Sequence, residues 1–195
     1  MLKHKVYSIR NKLRYSLFIR KVLKLFFHFD NWHVISINDR KYVTDIINFI
    51  EHDNSIKTIA EIGCGLGDII GSINDKECIG CDISSEVIKA AKILSPKTSF
   101  LVGSFDNIKY KKIDCLITVN FMHSIEPEQL KKYYKKFFKN NKVEYVIFDS
   151  VKSRKYQYNH TASEILGNNW IKELTIGKYS ADRGIRYIEL FKKQV

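Results

Sequence analysis

The sequence predicts an α/β domain built on a mostly parallel seven-stranded sheet with helices on both faces, an antiparallel C-terminal hairpin and an N-terminal helical extension. Two observations lead to this prediction. From residue 58 onward, short β-rich segments alternate with segments of helical periodicity, the pattern of parallel strands joined by crossover helices. The last two β-rich segments are separated by residues 180–184, a connection too short for a parallel crossover.

Two amphipathic helices are predicted within residues 1–50, which we interpret as a helical extension or lid. The second covers about residues 39–51. The first covers about residues 15–29, and its apolar side carries Tyr15, Phe18, Ile19, Val22, Leu25, Phe26 and Phe29. Its opposite side carries Arg14, Arg20, Lys21, Lys24 and His28. The favoured interpretation is that the apolar side covers the core, and the alternative is that this helix docks on an anionic membrane surface.

Residues 51–195 are predicted to form the main domain. Strands are expected at 58–62, 77–82, 98–102, 113–119 and 143–148, and the hairpin at 170–179 and 185–191. A short helix is expected from about Leu66, a second over 84–94 with Ser84 as its N-cap, and a third from Pro127 to about 138. Residues 150–169 are polar and weakly patterned, so they are expected to form a loop and a short helix near the active face.

The composition fits a single unit with an uneven charge. The chain has 195 residues, 45% of them hydrophobic, and a formal net charge of +12. Residues 1–29 contain eight of the 33 Lys and Arg and none of the 21 Asp and Glu, which leaves 25 basic against 21 acidic side chains in residues 30–195. The main body is therefore only mildly cationic, which argues against a surface built throughout for nucleic acid.

The cysteines and the hydropathy pattern indicate a reduced, cytoplasmic setting. Cys78 and Cys81 have C-x-x-C spacing, but Cys64 and Cys115 supply no second pair, so no metal site is predicted. The four cysteines are interpreted as small buried thiols. No run of about 20 apolar residues could span a bilayer. A peripheral contact at the inner face of the membrane through the basic N-terminal helix is the alternative localisation.

The segment Glu61-Ile-Gly63-Cys-Gly65-Leu-Gly67 follows the first predicted strand. Glycines at this place allow positive φ and let a ligand approach the backbone. Glu61 is placed to accept a hydrogen bond from a cationic ammonium group. Asp82 closes the neighbouring strand, where its carboxylate can bind both hydroxyls of a ribose. Together these features predict a nucleoside-cofactor site, and the G-x-G-x-G spacing differs from the G-x-G-x-x-G of nicotinamide-dependent oxidoreductases.

The stretch from about Lys57 to Phe148 resembles the class I, Rossmann-like S-adenosylmethionine-dependent methyltransferases. The resemblance implies that Gly63, Gly65 and Gly67 cradle the methionine part of the cofactor and that Asp82 binds the ribose. It further implies that Ile83, Phe105 and Asp106 contact the adenine. It places Asn120 facing the methionine end of the cofactor. The last two strands suit the family's sheet, whose final strand is antiparallel.

Methyl transfer often needs a base that removes a proton from the acceptor. His123, three residues past Asn120, is the first candidate because imidazole titrates near neutrality. His160, in the loop after the fifth strand, and Asp149, at the end of that strand, are the other candidates. His123 could instead only line the cofactor pocket or cap the helix that Pro127 begins.

The predicted acceptor is a hydroxyl oxygen of a small molecule or sugar. The segment Asn120-Phe-Met-His123 lacks the N-P-P-[YF] signature of amide and exocyclic-amine methylation. The compact length and Asn31-Trp-His33 ahead of the glycine segment loosely resemble small methyltransferases of bacterial surface-polysaccharide pathways. Two alternatives stay open: an RNA or tRNA methyltransferase that uses the basic N-terminal helix, and a non-catalytic cofactor-binding protein. The oligomeric state is left open.

Overall fold

In the computed structural model of the chain, residues 14–36, 39–181 and 183–194 are described. Two helices, α1 (Leu17–Phe27) and α2 (Lys41–His52), precede the sheet. The strands are β1 (Thr58–Ile62), β2 (Glu77–Asp82), β3 (Ser99–Val102), β4 (Lys112–Thr118), β5 (Lys142–Ser153), β6 (Trp170–Ala181) and β7 (Gly184–Lys193). Three further helices connect them: α3 (Ser85–Leu94), α4 (Pro127–Asn140) and α5 (Ala162–Leu166).

The seven strands form one sheet in the order β3-β2-β1-β4-β5-β7-β6. The pairs β1–β2, β1–β4, β2–β3 and β4–β5 are parallel, whereas β7 is antiparallel to both β5 and β6. The predicted seven-stranded, mostly parallel sheet with a C-terminal hairpin is therefore confirmed. The reversal of strand order between β1 and β4 creates the crevice at which such sheets bind their ligands.

Helices cover both faces of the sheet. On one face α2 contributes Ile46 and Ile50 to the core, and on the other α4 contributes Leu130, Tyr134 and Phe137. Ser84 caps α3 by accepting a hydrogen bond from the Val87 N–H, and Pro127 occupies the first turn of α4, both as predicted. Since α2 packs into the main core, the domain boundary after residue 50 stays a prediction.

Two sequence predictions in this part of the chain are wrong. The helix expected from Leu66 is absent from the described residues, because 65–72 form consecutive turns with mixed hydrogen-bond spacing, such as Gly67 N–H to Cys64 O and Gly71 N–H to Gly67 O. β5 continues through Ser153, since β7 pairs with it as far as Gly184. The remainder of 150–169 is loop with the short helix α5, as expected.

The side of α1 that packs on the domain is only in part the predicted one, since Ile19 and Phe29 pack as expected but other members of the predicted apolar side do not. Leu23 and Arg20 are buried, and Ile19 and Phe27 pack beside them against Leu66, Val87 and Ala90. Phe18, Leu25 and Phe26 face outward. Arg14 and Arg20, predicted to face solvent, are 5% and 0% exposed. The prediction failed because helical periodicity locates an apolar stripe but cannot detect a buried carboxylate that pairs with an arginine.

The four cysteines carry free thiols, and Cys64, Cys81 and Cys115 are buried while Cys78 is half-buried. Burial raises the pKa of Cys78 to about 12 and that of Cys81 to about 11, so both stay neutral thiols near neutral pH. Among the described residues, no helix is long and apolar enough to cross a bilayer.

Candidate active site

A pocket of about 430 Å³ opens at the carboxyl ends of β1, β2 and β4. Its floor is formed by the turn after β1, and its walls by the residues that follow β2 and β4. The segment between α1 and α2 closes another side. Of the predicted cofactor residues, the pocket lining includes Glu61, Gly63, Gly65, Asp82, Ile83 and Asn120.

The glycine turn needs its glycines for conformation and for space. Gly63, Gly65 and Gly67 have φ values of 69°, 53° and 75°, in the left-handed region that side chains disfavour. A Cβ atom at Gly63 would lie 2.5 Å from the Phe121 ring, and one at Gly67 would lie 2.7 Å from the Phe100 ring. The turn therefore requires glycine at both positions even before a ligand is considered.

Asp82 ties the turn to the end of β2. Its Oδ2 accepts the Gly65 N–H at 2.9 Å and its Oδ1 accepts the Ser84 N–H at 3.0 Å. Each carboxylate oxygen keeps a further lone pair, so both can still accept from a ligand. Ile83 beside it is 80% exposed on the pocket wall, an unusual environment for a large apolar side chain.

Glu61 lies beneath the turn and is buried. Its Oε2 accepts the Ile70 N–H at 3.0 Å. Burial raises the pKa of Glu61 well above its ordinary value, and the nearby carboxylates of Asp68 and Asp82 raise it further, against the opposing effect of the Ile70 N–H. A cation placed in the pocket would therefore favour the ionised form of Glu61.

Phe105 and Asp106 do not line the pocket. Phe105 is 2% exposed, and its ring packs in the core against Tyr133, Tyr134 and Phe137. Asp106 turns outward and pairs with Lys136 at 2.8 Å. The two side chains are therefore not positioned in this conformation to make the adenine contacts that the resemblance implies.

Sequence reasoning missed Arg40, which precedes α2. Among the described residues that line the pocket, Arg40 is the one with a permanently charged cationic side chain. Its Nη2 donates to Asp68 Oδ2 at 2.5 Å. No local motif marks this arginine, because its role depends on the long-range packing of α2 against the turn.

Trp32 and His33 also line the pocket. Trp32 is 46% exposed. A Cβ atom at Gly65 would lie 3.1 Å from the His33 ring, so the segment between α1 and α2 lies directly over the glycine turn.

The three candidate bases lie together at the ends of β4 and β5. His123 Nε2 lies 3.2 Å from Asp149 Oδ2, and both side chains are buried. Asp149 Oδ2 also accepts the Asn120 N–H at 2.9 Å, which connects this pair to the pocket lining. Asn120 has φ 68°, a left-handed conformation that its short polar side chain tolerates.

His160 supports this arrangement from outside. Its Nε2 lies 3.0 Å from the Met122 carbonyl oxygen, and its ring stacks 6.4 Å from the ring of His123. The ring of Tyr156, from the same loop, packs against the ring of His123 with 4.4 Å between their centroids. His160 thus contacts the backbone that holds His123 and does not reach the pocket lining.

Arg186 of β7 is a second residue that sequence reasoning missed. It is buried, donates to the Asn120 side chain and lies with Nη1 3.6 Å from Asp149 Oδ2. Its guanidinium group stacks 4.9 Å over the ring of Tyr42, which lines the pocket. The antiparallel pairing of β7 with β5 places Arg186 beside Asp149 and Asn120. No sequence motif indicates this position for Arg186.

Comparisons with known proteins agree with this geometry. Residues 59–142 match the family model described as a methyltransferase domain. Magnesium protoporphyrin IX methyltransferase from Synechocystis PCC 6803, crystallised with bound S-adenosylmethionine, is 16% identical with a TM-score of 0.69, over 96% of each chain.

Two further solved structures share the fold over most of this chain. TehB from Haemophilus influenzae is 14% identical with a TM-score of 0.61, over 79% of this chain and 62% of its own. A putative RNA methyltransferase from Pyrococcus horikoshii is 13% identical with a TM-score of 0.58, over 79% and 82%. Among curated proteins, none is significantly similar to this chain.

Proposed function

We propose that the protein is a class I S-adenosylmethionine-dependent methyltransferase, as its match to a methyltransferase domain over residues 59–142 supports, and that it methylates a hydroxyl oxygen of a small-molecule or sugar acceptor. The observation that carries the proposal is the buried His123–Asp149 pair beside the pocket. A hydroxyl group needs a base as it becomes a nucleophile, and this pair is built to provide one.

The pocket fits the cofactor in shape and charge. Its lining contains four carboxyl groups, those of Asp30, Glu61, Asp68 and Asp82, against the one arginine, Arg40. This excess of acidic groups suits the sulfonium and ammonium cations of S-adenosylmethionine, while Arg40 suits its carboxylate. When bound, the cofactor supplies an electrophilic methyl group. Glu61 and Arg40 would hold the methionine part and Asp82 the ribose.

The hydrogen bonding of His123 determines which nitrogen acts. Because Asp149 Oδ2 accepts from Nε2–H, the neutral ring carries its lone pair on Nδ1. Nδ1 is buried and has no hydrogen-bond partner among the described residues. We propose that the acceptor hydroxyl displaces Tyr156, whose ring packs against the ring of His123, and gives its proton to Nδ1. Asp149 and Arg186 are proposed as positioning residues, as is His160.

The alternatives receive less support from the geometry. Methylation of RNA was expected to use the basic face of α1, but Arg14 and Arg20 of that face are buried within the protein. A non-catalytic role would not explain why the protein buries the His123–Asp149 pair beside the pocket. The proposed setting of surface-polysaccharide assembly rests on the resemblance of the Asn31–His33 segment, and Trp32 and His33 of that segment line the pocket.

The test is acceptor profiling with methyl-labelled S-adenosylmethionine. The protein is incubated with glycan, lipid, RNA and small-molecule fractions from an extract of its source organism. Label in an alkali-stable ether on a sugar or small molecule supports the proposal. Label that ribonuclease releases would favour the RNA alternative, and cofactor binding without transfer to any fraction would favour the non-catalytic one.

A further inference from the structure

Helix α1 has an outward face that is exposed in the part of the chain that the structure describes. Phe18, Leu25 and Phe26 are 75%, 74% and 75% exposed, although all three are large and apolar. At 100° per residue they lie within about one third of the helix circumference, opposite the buried Arg20 and Leu23. We call Phe18, Leu25 and Phe26 the outward apolar face. Scattered single apolar residues are ordinary on surfaces, but a contiguous group of this kind marks an interaction site.

Cationic groups border this face. A shallow groove between α1 and the turn Asn31–Val34 is lined by Lys21, Lys24, Leu25, His28, Phe29, Asn31 and Val34. Of the residues that the structure describes, no carboxylate belongs to this lining. The acidic residue next to it in sequence, Asp30, lies outside this lining and hydrogen-bonds with His33 Nδ1 at 2.8 Å. Leu25 belongs both to the groove and to the outward apolar face, so the apolar and cationic groups form one continuous surface.

The sequence adds charge of the same sign. Residues 1–29 contain eight Lys and Arg and no Asp or Glu. Arg14 and Arg20 interact with other residues of the protein, since Arg14 Nη1 donates to Ser72 Oγ and Arg20 forms an ion pair with Asp68. Lys21 is exposed and Lys24, at the groove, donates to the Asn31 side chain, which carries no charge. A partner for the surface must therefore combine an apolar region with negative charge.

We propose that this face of α1 docks on the surface of an anionic lipid bilayer. Phe18, Leu25 and Phe26 enter the boundary between headgroups and acyl chains, and Lys21 and Lys24 contact lipid phosphates. The same helix remains attached to the domain through Arg20 and Leu23, so docking requires no unfolding of α1. This inference does not depend on which acceptor the enzyme methylates.

The test is co-sedimentation of the full-length protein with vesicles of phosphatidylcholine alone and of phosphatidylcholine with phosphatidylglycerol. Binding to the anionic vesicles, weakened by salt, is expected. The variant Phe18→Ser/Leu25→Ser/Phe26→Ser should lose about tenfold or more in partitioning. Ile171→Ser, which removes a 47% exposed apolar side chain from β6, is the matched control and should bind as the wild type does. Lys21→Glu/Lys24→Glu should remove the preference for anionic vesicles.

Melting temperatures and cofactor affinity show whether each variant is folded, and both should be unchanged because these side chains lie outside the core and the pocket. Failure of the wild type to bind anionic vesicles at low salt would overturn the proposal, as would equal binding by the triple variant. A concentration-dependent dimer that the triple variant cannot form would assign the face to a second copy of the chain instead. Loss of acceptor methylation in solution would bear on the proposed function and not on this surface.

Discussion

Arg20 of α1 and Asp68 of the turn after β1 form an ion pair whose side chains are 0% and 10% exposed. The Arg20 guanidinium group donates to Asp68 and also to the carbonyl oxygens of Arg14 and His33, at 3.0 and 3.1 Å. One side chain therefore connects three parts of the structure, which are α1, the segment between α1 and α2 that covers the pocket, and the turn beneath that segment. This arrangement couples the N-terminal extension to the cofactor site.

Replacing Arg20 by methionine is expected to lower the free energy of unfolding by about 3 kcal/mol, because breaking a buried ion pair strands the remaining charge. Arg40 still contacts Asp68, which keeps the loss near the lower end of the usual range. Urea unfolding followed by circular dichroism measures it. Lys21→Met is the matched control, since Lys21 is exposed on the same helix and should change stability little. Equal effects of the two substitutions would show that the ion pair adds no stability.

The same pair predicts a loss of stability in acid. Burial alone would raise the pKa of Asp68, but the Arg40 and Arg20 guanidinium groups outweigh it and lower the pKa below its ordinary value. An acid with a lowered folded-state pKa stabilises the protein above its unfolded-state pKa of about 3.9 and loses that contribution as the pH falls through the folded-state pKa.

The measurement compares wild type with Asp68→Asn by urea unfolding at several pH values. The stability difference should be constant near neutral pH and should shrink as the pH falls below about 4. A difference that is independent of pH down to acid unfolding would contradict the assignment of the lowered pKa to Asp68.

The order of the strands β1 to β4 was predictable because each is a short, largely apolar segment bounded by turn residues. The positions of Gly63, Gly65 and Asp82 at the pocket were predictable for a related reason, since parallel strands must end at one edge. The orientation of α1 was not, because its buried Arg20 depends on Asp68, 48 residues away. Arg40 and Arg186 reach the site through tertiary packing that leaves no local pattern in the sequence.

Cofactor binding is expected to release a proton from Glu61. Burial raises the pKa of Glu61 well above its ordinary value, and an ammonium group beside it would lower that pKa again. Calorimetry in buffers of different ionisation enthalpy measures the number of protons released. Glu61→Gln should abolish the release while keeping the hydrogen-bonding shape of the side chain. The same proton release in both proteins would place the titrating group elsewhere.

Asp82→Ala is expected to weaken S-adenosylmethionine binding by roughly tenfold to a hundredfold, since a hydrogen bond to a charged group contributes about 1.5–3 kcal/mol. Asp106→Ala is the matched control, because Asp106 follows the neighbouring strand but pairs with Lys136 outside the pocket. Calorimetry should show near wild-type affinity for that control. A strong loss in Asp106→Ala would indicate that residues 103–107 rearrange to reach the adenine, as the family resemblance implies.

His123→Ala is expected to lower kcat by about a hundredfold or more while leaving cofactor affinity within a few-fold. His123 contacts Asp149 and the Tyr156 ring, and its side chain does not belong to the pocket lining that would hold the cofactor.

Asp149→Asn separates the chemical role of this pair from a structural one. The Asn120 N–H and His123 Nε2 meet the same oxygen, Asp149 Oδ2, so a carboxamide whose oxygen stays there keeps both hydrogen bonds and removes only the negative charge. The imidazolium ring that forms during proton transfer would then lack the carboxylate charge that stabilises it, and kcat should fall in a fully folded protein. Single-turnover rates together with the melting temperature make the comparison. If turnover survives in Asp149→Asn, or if both variants lose cofactor binding in proportion to activity, His123 only shapes the site and the base must be another group.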